Sequence, residues 1–156
     1  MLLPWLFACT DAVRPSQDPS WNVPDSRCPA APSAGTANAA VTLAVDGRRL
    51  FRAELAATAA EQDRGLMYRR SLPLDAAMIF PAEKLQDNRF WMKDTCLPLD
   101  LVWLDADGRV LAVQTAPAME EVPRGIGAPS LTVVELGAGV AAANGIAPGA
   151  RLTWAP

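Results

Sequence analysis

Val41-Thr42-Leu43-Ala44-Val45-Asp46-Gly47, followed by Leu50 to Ala57, is the stretch that decides the fold. Apolar Val41, Leu43 and Val45 alternate with Thr42 and Ala44, and a period of two sends successive side chains to opposite faces of a strand. Asp46-Gly47 offers the left-handed backbone that a two-residue hairpin turn requires, so Leu50 to Ala57 reads as the partner strand. Outward from this hairpin, strands are expected at Ala76 to Pro81, Arg89 to Lys93, Leu99 to Leu104, Arg109 to Thr115 and Leu131 to Leu136, with a last one running through Trp154 after a Pro148-Gly149 turn. Thr58-Ala59-Ala60-Glu61 has the spacing of a capping box, which predicts a short helix from Ala59 to about Leu66, and an Ala-rich run ending near Gly145 predicts a second. Short strands divided by turn residues make the expected class all-β, a sandwich or barrel-like domain with one or two short helices.

The 156 residues are 51% hydrophobic, enough to bury one sizeable core. From Thr10 to about Ala40 the chain carries Pro15, Pro19, Pro24, Pro29 and Pro32 with no apolar period, so residues 10–40 read as an extended linker and 41–156 as the single domain. A formal net charge of −3 speaks against nucleic acid, whose binders present a basic stripe, and Arg48, Arg49 and Arg52 are too few to supply one. The absence of His removes the commonest general base and transition-metal ligand, and no metal or cofactor is expected. Asp105-Ala106-Asp107-Gly108 shares only its opening with a calcium loop; Gly108 arrives too early and Ala116 stands where the closing Glu belongs, so a hairpin turn is expected.

The longest uninterrupted apolar run is residues 1–9, and a membrane-spanning helix takes about 20. Its end, Leu6-Phe7-Ala8-Cys9, resembles the lipobox at which bacterial lipoproteins are cleaved and acylated on the Cys. A secretory signal begins with positive charge, which is missing here, so residues 1–9 are read as a truncated lipoprotein signal whose true start lies upstream. On this reading Cys9 carries lipid and the domain sits in the cell envelope, touching the membrane only through that anchor; if residues 1–9 are not a signal, the protein is cytoplasmic. Cys28 and Cys96 then remain as an even pair. A disulfide between linker and domain and two free thiols are both open.

Chemistry concentrates in Phe90-Trp91-Met92-Lys93-Asp94-Thr95-Cys96-Leu97-Pro98-Leu99-Asp100. An unpaired buried charge costs several kcal/mol, so some of Lys93, Asp94 and Asp100 must meet water, a partner or a ligand. Alternation sets Trp91 and Lys93 on one face and Phe90 and Met92 on the other. Either the indole is a platform for a sugar or an aromatic ligand, with Lys93, Asp94, Thr95 and Asp100 supplying oriented hydrogen bonds, or Trp91 is core and Lys93 pairs with Asp100 or Glu135. Arg64, Met67 and Arg69 are candidates for the rim, though on a short helix their spacing equally describes one apolar face with solvated charges. Glu135, between Val134 and Leu136, either faces solvent or pairs with Arg64 or Lys93. The leading expectation is non-catalytic binding of a small ligand or glycan. A hydrolase is the alternative, using Lys93 with Thr95 or pairing Asp94 with Asp100 or Glu135. A third reading is a structural or protein-interaction module that meets an envelope protein through the Ala116 to Ser130 segment, which is long for a connection inside a compact domain.

These residues also carry a resemblance. Phe90 to Thr95 followed by Pro98, Leu99 and Asp100, the upstream Arg64-Gly65-Leu66-Met67 with Arg69, and Met78-Ile79-Phe80 are similar, in order and spacing, to the prokaryotic family named domain of unknown function number 192. Asp107 to Val110, Val134-Glu135-Leu136 with Gly139, and Gly145-Ile146 with Pro148-Gly149 extend the similarity over roughly residues 41–156. The resemblance implies a compact, mainly β fold, sandwich-like, with no established reaction. Three positions depart from the family's pattern: Asp94 stands where it usually has Asn, Ala77 where it has Gly, and Ala150 where an acidic residue is common. A carboxylate only accepts hydrogen bonds whereas an amide also donates, so a donor role does not transfer to Asp94.

Overall fold

The computed structural model describes residues 22–156; the proposed signal, Cys9 and residues 10–21 of the Pro-rich segment lie outside the described residues. The expected hairpin is present as β1 (Ala39–Val45) and β2 (Arg48–Leu55), turned at Asp46 and Gly47, both with positive φ. After α1 (Ala59–Arg64) come β3 (Ala76–Gln86), β4 (Leu99–Leu104), β5 (Val110–Ala116), β6 (Ser130–Gly137), α2 (Val140–Ala143) and β7 (Leu152–Ala155). They form one seven-stranded sheet in the order β5-β4-β6-β3-β2-β1-β7, antiparallel except for the β2–β3 pair. The fold is all-β and barrel-like, because the two edge strands of the curled sheet meet at one end. There Val110 N–H donates to the Ala150 carbonyl (2.9 Å) and Leu152 N–H to that of Gly108 (2.8 Å). Gly108 has φ +76 and lies so close to the Leu152 carbonyl that any side chain would collide with it.

Period-two alternation sorts the side chains into two cores. Leu43, Val45, Phe51, Ile79, Val102, Leu104, Val134 and Leu136 fill the inside of the curl, and α2 closes it with Val140 and Ala141. Met78, Phe80, Leu99, Leu101, Trp103 and Val133 point to the outer face, where Leu66, Leu72, Met92 and Leu97 cover them. The middle strands are therefore buried on both faces, and each large side chain that leaves water stabilises by roughly 1.5–3 kcal/mol. This second core is what makes the outer face a place for a site.

Its cover includes the segment expected to be a strand at Arg89 to Lys93. That segment is not in the sheet. It crosses the outer face and exchanges backbone hydrogen bonds with the Ala116 to Ser130 segment instead: Phe90 and Arg124 bond in both directions, and Met92 N–H donates to Glu120 at 2.8 Å. The Trp103 indole N–H, projecting from the sheet, holds the cover by donating to the Asn88 carbonyl at 2.9 Å. Alternation survives without the strand, with Met92 buried and Trp91 and Lys93 exposed.

Residues 22–38, in the segment read as a linker, are tied down. Leu72 N–H donates to Asn22 Oδ1 (2.9 Å), Asp25 N–H to the Cys96 carbonyl (2.8 Å), and Cys28 is bonded to Cys96 as a disulfide. Proline removes backbone donors and periodicity, which is why this stretch reads as unstructured; its anchors are single side chains that composition does not register.

Candidate functional site

Between α1, the far end of β3, the 88–95 cover and the outer face of the sheet lies an open cavity of about 840 Å³. Arg64, Met67, Trp91, Lys93, Asp94, Thr95 and Glu135 all line it. Of the residues singled out for the site in the sequence, Asp100 does not, nor does Arg69, which was offered with Arg64 and Met67 for the rim.

The α1 wall is set locally. Thr58 accepts from the Glu61 N–H and Glu61 accepts from those of Thr58 and Ala57 (2.8 Å each), with the Thr58 N–H first in holding the Glu61 carboxylate below its ordinary pKa. Gly65 ends the helix at φ +45, where a Cβ would crowd the Phe80 ring (3.3 Å). The chain then turns to place Tyr68, itself at φ 65, against Asp94 at φ 53. Tyr68 N–H donates to the Asp94 carbonyl (2.8 Å) and its hydroxyl to Asp94 Oδ2 (2.9 Å), while the Arg64 guanidinium stacks over the phenol ring at 4.4 Å. The hydrogen bond to Asp94 raises the Tyr68 pKa above its usual 10.0. Two non-glycine residues in left-handed backbone cost about 1–3 kcal/mol each, and strain of this kind persists only where surrounding contacts enforce it. Asp94 needs no donor for this duty: it accepts, and like Asn it tolerates the left-handed region.

Across the cavity Trp91 is 48% exposed, with Lys93 Nζ 5.2 Å from its ring centroid. Trp91 is thus not core, and Lys93 pairs with neither Asp100 nor Glu135. Phe90 packs edge-on against Phe80, centroids 5.0 Å apart, and fixes the strip that carries the indole. Thr95 is buried and bonded inside its own turn, its hydroxyl donating to the Lys93 carbonyl at 3.2 Å. A Thr so engaged is a poor nucleophile.

Glu135 sits on the sheet side of the cavity, 5% exposed. Strand register puts it between Met78 on β3 and Leu101 on β4, with Glu54 of β2 next in the same row. Desolvation pushes its pKa up to about 8, opposed by the charge of Arg69. Arg69 is itself held by Glu54 through two contacts of 2.5 and 2.7 Å, so most of its field is spent there. Neither Arg64 nor Lys93 pairs with Glu135.

Asp100 requires the clearest correction. Its neighbours Leu99 and Leu101 belong to the outer core and Val102 to the inner one, so Asp100 points into the curl, away from Trp91. It is 2% exposed and accepts from the Thr115 hydroxyl (2.7 Å) and the Ala141 N–H at the start of α2 (3.0 Å). Asp100→Ala should leave those donors stranded and lower stability by about 1–3 kcal/mol in urea unfolding, with any ligand bound in the cavity unaffected. Loss of binding at unchanged stability would return Asp100 to the site.

Tyr68, Phe80 and Phe90 line the cavity and were not anticipated in the site. Tyr68 is the chain's single tyrosine and follows Met67 directly, the one signal that pointed to it.

The chain is thus a curled β domain with two cores and a polar, aromatic-rimmed cavity over its outer face. Its family is shown by comparison: residues 41–154 match the family model DUF192, described as an uncharacterized ACR, and the chain belongs to that family. A crystal structure of a protein of unknown function from Novosphingobium aromaticivorans DSM 12444 is similar at 38% identity and TM-score 0.69, over 81% of this chain and 91% of that one. A Sinorhizobium meliloti 1021 structure, described as a candidate transcription regulator, is similar at 31% identity and TM-score 0.69, over 78% and 97%. A search of curated proteins gave no match.

Proposed function

We propose that the cavity binds a small polar ligand, an uncharged glycan by preference, without chemistry on it. The observation that supports this most is the gathering of a half-exposed Trp91, the Tyr68–Asp94 pair and a desolvated Glu135 around one open hollow. An indole face gives flat apolar area for a sugar ring, and fixed polar groups give orientation. Hydrolysis is disfavoured by the same geometry: Asp94 is engaged by Tyr68, Asp100 lies inside the curl, and Thr95 is bonded within its turn. The description of the Sinorhizobium structure suggests nucleic acid, which a net charge of −3 opposes.

Trp91→Ala tests the reading. With the indole at the rim, stability should change by less than about 0.5 kcal/mol, while affinity for a neutral trisaccharide such as chitotriose, cellotriose or maltotriose, read by calorimetry, should fall at least about tenfold. A lowered melting temperature with affinity unchanged would make Trp91 structural. The lipid on Cys9 and the envelope location belong to the same proposal, supported by the Cys28–Cys96 bridge, since such bonds persist in oxidising compartments. Cys9→Ala abolishing acyl labelling of the protein in its native host is the expected result.

A further inference from the structure

We propose that Glu135 is the specificity residue of this cavity, presenting from a neutral carboxyl one O–H donor and one carbonyl acceptor to a ligand that carries the matching pair, as the hydroxyl and acetamido oxygens of an uncharged sugar do. This rests on the cavity being a glycan site.

The geometry points there. Glu135 is 5% exposed yet lines the open cavity, and among the described residues no protein group hydrogen-bonds its carboxyl. Among the described residues the fully buried side-chain atom without a partner is Asn38 Oδ1, so the unbonded Glu135 oxygens keep contact with the open side of the cavity, where an incoming group reaches them. Its surroundings select the neutral form. Met78 and Leu101, its ladder partners on either side, are apolar and offer no charge. Arg69 faces it but is clamped by Glu54. Across the cavity Tyr68 is committed to Asp94, and the Lys93 ammonium lies over Trp91. A carboxylate here would lie between apolar neighbours with no cation to itself, whereas a carboxylic acid can both give and take a hydrogen bond. The pKa of about 8 agrees with that choice.

The consequence is a pH edge. A ligand that needs the O–H donor loses it as Glu135 ionises, so affinity should be level below pH 7 and about tenfold weaker at pH 9 than at pH 6. Tyr68, raised above 10.0, does not contribute in that window.

The experiment is calorimetric titration of the full chain with chitotriose, cellotriose and maltotriose at pH 6 and pH 9, on wild type, Glu135→Gln and Glu135→Leu, with circular dichroism at each pH to confirm folding. The expected result is a wild-type affinity that falls about tenfold, a Glu135→Gln affinity equal at both pH values because an amide keeps donor and acceptor without titrating, and no binding by Glu135→Leu. Wild-type binding that is flat from pH 6 to 9, or Glu135→Leu binding as wild type does, overturns the role of Glu135 and leaves the glycan site standing. No binding of any trisaccharide at either pH overturns both.

Discussion

Glu135→Gln should make the protein more stable, by about 3 kcal/mol at pH 7 and more at pH 8, although it alters a buried, charged residue type at the middle of the sheet. The reason is linkage. Unfolded, Glu135 titrates near its ordinary 4.5; folded, it titrates at about 8. Below pH 4.5 both states hold the proton and nothing is lost. Between pH 4.5 and 8 the unfolded chain has released a proton that the native state retains, so stability falls with rising pH and levels off only above the folded pKa. Each pH unit of that window corresponds to about 1.4 kcal/mol, which places the loss at about 3 kcal/mol by pH 7 and about 4 by pH 8. Glutamine has the same shape, pairs as poorly with Met78 and Leu101, and carries no proton to lose. Urea unfolding from pH 4 to 9 should therefore show the two proteins equal near pH 4 and diverging above pH 5 in favour of the variant. A gap that does not change with pH would mean that Glu135 titrates alike in the folded and unfolded chain, its burial offset by the charge of Arg69.

A stabilising substitution at so central a position would fit a residue retained for binding, since sites hold groups that folding alone would not choose. It also shows what could be read without coordinates. Alternation along Val41–Val45 and Leu99–Leu104, the Asp46-Gly47 and Asp105–Gly108 turns and the Thr58–Glu61 cap are local signals, and the elements they predict are present. The strand at Arg89–Lys93 is not, because alternation there reports a strip with one side buried and does not say whether its backbone pairs inside a sheet or lies over one. Asp100 has the same origin: five residues from Thr95 it looks adjacent to the site, yet the turn at Lys93–Asp94 and the entry into β4 bring it out on the opposite face. Glu135 could be named but not explained. Its environment is made by Met78, Leu101 and Arg69, which lie tens of residues away, and only register sets them beside it.

Breaking the Cys28–Cys96 bridge should cost about 4 kcal/mol, because the two ends lie 68 residues apart and a cross-link of that span removes that much loop entropy from the unfolded chain. A domain of this size has about 5–15 kcal/mol in all, so the reduced protein is marginal. The two effects then compound. At pH 5 the Glu135 proton costs little and the protein reduced with a pH-independent phosphine should remain folded. At pH 8 it carries both the lost bridge and most of the Glu135 penalty, and a large unfolded fraction is expected by circular dichroism at 37 °C. Cys28→Ser with Cys96→Ser should reproduce this without reductant, and adding Glu135→Gln should restore folding at pH 8 while changing little at pH 5. The bridge also joins residues 22–28 to the residue that follows Thr95, so its loss should loosen the Lys93–Thr95 turn before the sheet. Hydrogen exchange at the Asp25 and Tyr68 amides, both bonded to that turn region, should accelerate on reduction at pH 5, when the strands are still protected. Uniform exchange across all strands at that pH would mean that the bridge holds the whole barrel and not the site's own wall.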